Sequence, residues 1–149
     1  MSQHKSEISW SYKEHELEKE TYSRNHVVSL NGGQNVNVSA SVEFKGDERC
    51  ADPEQMLISA LASCHMLFFL AIAEIQGYRV ESYKDSPVGF LEKSDGGMAV
   101  TRIELSPRVI FGGDKSIDEK SLTRLHNSAH RSCFIRNSIK ADVSIKVVL

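Results

Sequence analysis

The sequence has 149 residues, with 18 lysines and arginines against 20 aspartates and glutamates and a formal charge of −2. That length fits one domain, 1–149, burying roughly 68–70% of its unfolded surface, and the near balance of charge offers no basic field for nucleic acid or an anionic membrane. The opening Met1-Ser-Gln-His-Lys-Ser-Glu lacks the pattern of a secretory signal, which predicts a cytoplasmic protein with reduced thiols.

Ile8, Trp10 and Tyr12 are spaced by two, as are Val36, Val38 and Ala40 after Asn31-Gly32-Gly33, which predicts antiparallel strands. A polar loop, 45–51, leads into Asp52-Pro53-Glu54, where Asp can cap, Pro suits the first helical turn and Glu favours the positive end of the dipole. A helix is expected from there through Gln76, roughly 36 Å long, stopping at Gly77. Its stretch from Met56 to Ala73 is apolar except for Ser59, Ser63, Cys64 and His65. Those polar residues and the polar remainder of the chain favour a buried central helix over a membrane span.

Val80 to Glu92 and Met98 to Ile110 read as two strands joined at Ser94-Asp95-Gly96-Gly97 in a hairpin. Ser116-Ile117-Asp118-Glu119 fits a capping box, and Ile117, Leu122, Leu125 and Ala129 continue a second helix towards Arg131. Cys133 falls at its end, with a further turn expected over 134–139. Val143, Ile145 and Val147 alternate in a last strand.

Three cysteines, Cys50, Cys64 and Cys133, are too few for a disulfide framework, and no C-x-x-C pair is present. Cys64 lies inside the apolar helix, where it is either a small core hydrophobe or a nucleophile that needs a cation not visible nearby in sequence. Cys133 has Arg131 and Arg136 close in sequence and a helix end beside it, which predicts an accessible, electropositive setting. Two such thiols can run a sulfenic acid and disulfide cycle if the fold joins them. Cys50 reads as a passive surface thiol. His126, His130 and Cys133, at i, i+4 and i+7, form a rival set of metal-ligand types on one helix face. The zincin Glu is absent there because Asn127 stands in its place, so no metal is assigned.

The run Asp52-Pro53-Glu54-Gln55-Met56-Leu57-Ile58-Ser59-Ala60-Leu61-Ala62-Ser63-Cys64-His65 resembles the signature helix of the OsmC/Ohr family, the osmotically inducible and organic hydroperoxide resistance proteins. His126 to Ser138, with Ala129, Cys133 and Asn137, resembles the segment carrying that family's second cysteine, and the element order agrees over nearly the whole chain. The resemblance implies an α+β fold with antiparallel sheets around a long central helix, in an intertwined homodimer with its sites at the subunit interface. It implies a thiol peroxidase without cofactor, in which Cys64 attacks an organic hydroperoxide and Cys133 closes a disulfide. An external dithiol, with a lipoylated carrier protein as candidate, would restore the pair.

The resemblance also implies an arginine and a glutamate at the site. Glu54 matches the glutamate, and Arg24, in Tyr22-Ser23-Arg24-Asn25-His26, is the best match for an arginine that activates the thiol and orients the peroxide. Ten residues on a straight helix place Glu54 about 15 Å from Cys64 along the axis, so the two cannot touch directly. Phe134 follows the second cysteine where many active relatives carry proline, and His65 follows Cys64 where several carry phenylalanine. Both departures point to the OsmC-like branch, for which a non-catalytic protein holding a small apolar ligand at the dimer interface is the alternative.

Overall fold

A computed structural model describes residues 1–149, which divide into two compact units, Met1–Met56 and Leu57–Leu149. In the first, β1 (Glu7–Ser9), β2 (His26–Ser29) and β3 (Asn35–Val38) form an antiparallel sheet in that order. Val28 and Val38 are its buried residues. The expected first strand is shorter than its alternation suggests: Trp10 and Tyr12 lie beyond β1 and remain exposed, with Trp10 Nε1 donating to Ser23 O at 2.9 Å. Ala40 likewise falls outside β3.

Helix α1 (Pro53–Ile75) begins where the sequence places it. Asp52 Oδ1 accepts from Gln55 N at 2.7 Å while Gln55 Oε1 accepts from Asp52 N at 3.1 Å, so a reciprocal capping box closes the first turn with Pro53 at N1. The helix ends at Gly77, whose φ of 84° is the left-handed value a C′ residue needs. Gly77 N donates to Glu74 O and Tyr78 N to Ala73 O, both at 2.9 Å, which is a Schellman closure.

The second unit contains the rest of α1, five strands and α2 (Glu119–Ser132). The two long strands expected after Gly77 are four: β4 (Arg79–Lys84), β5 (Val88–Ser94), β6 (Gly97–Leu105) and β7 (Arg108–Gly112). Pro87 and Pro107 sit at the breaks, where a residue without an N–H cannot continue a ladder. Asp85 Oδ1 accepts from Ser106 N at 2.8 Å and ties the two breaks together. The hairpin at 94–97 joins β5 to β6 as expected, and β8 (Asp142–Ile145) adds parallel to β6, giving the order β5-β6-β8. Strands β4 and β7 pair separately.

Helix α2 starts two residues later than the Ser116 capping box predicts. Asp118 is the cap, its Oδ1 accepting from Ser121 N at 2.7 Å. An ionised acceptor makes the stronger cap bond, and the N–H groups of the first turn are where it is placed.

The core of this unit has two clusters strung along α1. Leu61 and Ala62 pack with Ile103 and Leu105 of β6 and with Cys133; Phe69 and Ala73 pack with Leu122, Leu125 and Ala129 of α2. One 23-residue helix thus supplies both clusters. It is long and apolar enough to cross a membrane by length and composition; Leu61, Ala62, His65, Phe69 and Ala73 are its buried residues, and the rest of it is half-buried or exposed.

Candidate active site: two thiols and a buried histidine pair

Cys64 and Cys133 come together in the first core cluster as neighbouring free thiols. Cys64 is half-buried on α1, whereas Cys133 is fully buried as the C-cap of α2. The expectation that Cys133 is accessible does not hold: the chain turns extended there, at φ −64° and ψ 114°, and directs the residue into the cluster formed with Leu61, Ala62, Ile103 and Leu105. Phe134, next in sequence, is the exposed residue instead, and its ring meets Phe68 edge-on with centroids 4.9 Å apart.

Burial pushes the Cys133 thiol up from its ordinary range, and the adjacent Cys64 thiol adds to this. The backbone N–H groups of Arg136 and Ile135 act in the opposite sense, Arg136 N lying 3.4 Å from Sγ, but do not overcome the loss of water. At neutral pH Cys133 is therefore a thiol rather than a thiolate. The half-exposed Cys64 is the member of the pair that a dissolved reagent reaches first.

Two imidazoles meet between the helices that carry the thiols. His65 Nε2 and His126 Nδ1 are 3.1 Å apart, and both residues are essentially without solvent contact. Burial lowers both to about 4, and the neighbouring His126 and His130 add to the effect on His65, so the pair is neutral near pH 7. The α2 spacing makes His126 a possible metal ligand, and His65 stands out in sequence only as the polar residue after Cys64. Their pairing across 61 positions has no local signal.

The rival metal-ligand set on α2 does not assemble, for no three His, Cys, Asp or Glu side chains converge. His126 is engaged with His65, and Cys133 has left helical geometry, so the shared face implied by i, i+4, i+7 spacing does not extend to its thiol.

Arg24 and Glu54 are placed in the first unit without contact between them. Arg24 Nη1 donates to Thr21 Oγ1 at 2.9 Å and to Tyr22 O, and its guanidinium lies 3.9 Å from the centre of the Tyr22 ring. Glu54 occupies the first turn of α1 and joins no ion pair. Cys50 is half-buried, and its thiol is pushed up by burial and then by the Asp47 carboxylate, in keeping with a passive residue.

The fold is shared with known proteins over its whole length. An OsmC-like protein of unknown function from Vibrio cholerae O1 biovar eltor is 38% identical, with a TM-score of 0.92 over 99% of this chain and 100% of that one. The organic hydroperoxide resistance protein OsmC of Legionella pneumophila has the same fold at 16% identity, with a TM-score of 0.69 over 99% and 98% of the two chains. An uncharacterized Bacillus subtilis protein, YmaD, is 26% identical over 126 residues, covering 83% of this chain and 84% of YmaD. The family model described as OsmC-like protein matches residues 44–148, a span that includes the capping box of α1, both paired cysteines and the last strand. By that match and by the Vibrio relative, the chain belongs to the OsmC-like family.

Proposed function

We propose that the protein is a peroxiredoxin-like thiol peroxidase that reduces organic hydroperoxides to alcohols through a Cys64–Cys133 disulfide cycle. The observation that carries this reading is the meeting of a half-exposed thiol and a buried one inside an apolar cluster. The Cys64 thiolate attacks the terminal oxygen of the hydroperoxide and the O–O bond breaks. The alkoxide takes a proton and leaves as the alcohol, with Cys64 as sulfenic acid. Cys133 then attacks that sulfur, losing its proton while hydroxide departs as water, and the disulfide forms. A dithiol, for which a lipoylated carrier protein is the candidate, returns two electrons and two protons to the pair. The elevated Cys133 thiol suits the second role, since the resolving thiol acts only after Cys64 has been oxidised.

The organic hydroperoxide resistance proteins of Legionella pneumophila and, at 15% identity, of Bacillus subtilis have this fold, which lends the reading a precedent in name. In the same reading Arg24 activates Cys64 and orients the peroxide, with Glu54 as its carboxylate partner. They would have to pair on assembly, because Arg24 is otherwise occupied by Thr21 and Tyr22.

A cytoplasmic homodimer built from one OsmC-like domain, 1–149, completes the proposal. Ala60, Ser63, Leu67 and Ala71 of α1 form an exposed stripe of small and apolar residues at helical spacing, and Leu67 alone is 60% exposed. A second copy would cover such a face.

The test is to treat the reduced protein with stoichiometric cumene hydroperoxide, count free thiols and map disulfides by mass spectrometry in wild type and Cys64→Ser. Loss of two thiols into a Cys64–Cys133 bond, absent from the variant, is the expected result. Unchanged thiols would reject the peroxidase and leave a protein that holds a small apolar ligand.

A further inference from the structure

His65 and His126 form a buried polar pair that the thiol cycle does not consume. His65 follows Cys64 on α1, and His126 stands seven residues before Cys133 on α2. Their nitrogens are 3.1 Å apart, their ring centres 5.4 Å, and their planes differ by 5°. The ring centres are farther apart than the nitrogens by about two imidazole radii, so the rings lie edge to edge in one plane and the N–H···N bond is close to linear. One ring donates and the other accepts, sharing a single ring proton between them.

The pair is the one side-chain hydrogen bond that joins α1 to α2. The other links between the helices are apolar, with Phe69 and Ala73 against Leu122, Leu125 and Ala129, and such contacts tolerate small slides and rotations. A linear hydrogen bond between rigid rings does not. The buried Phe69 ring packs against the pair, its centre 4.4 Å from that of His126, while His126 Nε2 and His130 Nδ1 have no partner. Since consecutive residues on a helix differ by about 100° in direction, the orientation of His65 fixes that of Cys64.

We propose that His65 and His126 are a positioning pair, whose hydrogen bond sets the rotation and height of α1 against α2 and so holds the Cys64 sulfur where it can join that of Cys133. The proposal rests on the disulfide cycle above, but not on the peroxide that drives it. It is therefore tested without peroxide, by equilibrating the full chain with oxidised and reduced dithiothreitol in a Cys50→Ser background. Two electrons and two protons pass from Cys64 and Cys133 to the cyclic disulfide of the reagent, whose S–S bond breaks as the protein's forms.

Two variants decide the matter. His65→Leu/His126→Phe replaces both partners by apolar groups, a change that leaves neither member of the pair orphaned and that the fold tolerates better than either single loss. His65→Gln keeps an amide able to bond His126 Nδ1. The double variant is expected to keep its cooperative thermal transition while its disulfide equilibrium constant falls at least about tenfold, and His65→Gln should stay within about threefold of wild type. A folded double variant with a smaller fall, or a glutamine variant outside that range, overturns the proposal, and so does a wild-type protein that forms no Cys64–Cys133 bond. If the double variant does not fold, the glutamine variant decides by the same limit. A protein that forms the bond with dithiothreitol but ignores cumene hydroperoxide would sink the peroxidase reading alone.

Discussion

Cys64 and Cys133 are separated by 69 positions and meet as free thiols, one half-exposed on α1 and the other sealed at the end of α2. The inequality of their surroundings separates their chemistry, since the buried sulfur is held as a thiol while its neighbour stays open to solvent.

That inequality predicts an order of modification. In the reduced protein at pH 7.5, iodoacetamide should label Cys64 first and Cys133 at least about tenfold more slowly, because the reagent attacks thiolates it can reach. Peptide mass spectrometry over a time course measures both rates. Equal rates would contradict the buried placement of Cys133.

Acid should weaken the fold through the histidine pair. Both imidazoles titrate at about 4 when folded, against an ordinary value of 6.5, so the unfolded chain binds protons first as pH falls. The stability they contribute is complete above about 6.5, declines towards about 4 and levels off below it, with a loss on the order of 3 kcal/mol for one imidazole. His130, also lowered by burial and by Arg136 and Arg131, titrates in the same sense. Urea unfolding between pH 7.5 and 4.5 should show this slope in wild type and a shallower one in His65→Leu/His126→Phe.

Removing the cap of α2 isolates a local contribution. Asp118→Ala deletes the acceptor 2.7 Å from Ser121 N and should cost about 1 kcal/mol. In a chain of this size that lowers Tm by about 2–4 °C, measurable by circular dichroism. Asp118→Asn, which keeps an acceptor, should recover most of it.

The exposed stripe on α1 predicts the assembly. Leu67→Glu places a carboxylate in the centre of the face formed with Ala60, Ser63 and Ala71, and a homodimer built there should dissociate. Sedimentation velocity should give a dimer for wild type and a monomer for the variant. A dimer in both would place the interface elsewhere.

Much of the architecture was legible because its signals are local. Asp52, Pro53 and Gly77 bound α1 through cap geometry that depends on a few adjacent residues, and the 94–97 turn specifies its hairpin in the same way. The break of the two expected long strands was harder to read. Alternation continues across Pro87 and Pro107, and only the assembled sheets determine that β4 pairs with β7 while β5 and β6 pair with each other. The start of α2 turned on a choice between Ser116 and Asp118, two plausible caps two residues apart, which the strength of the acceptor decides.

The sequence by itself determined the long apolar helix, its caps and the hairpin, because each is encoded in residue type and short-range spacing. Tertiary structure alone decided that Cys133 is buried rather than accessible, that it packs with Cys64, and that His65 and His126 share a hydrogen bond. These are contacts between residues more than sixty positions apart, and they depend on the packing of one helix against another, for which no local pattern exists.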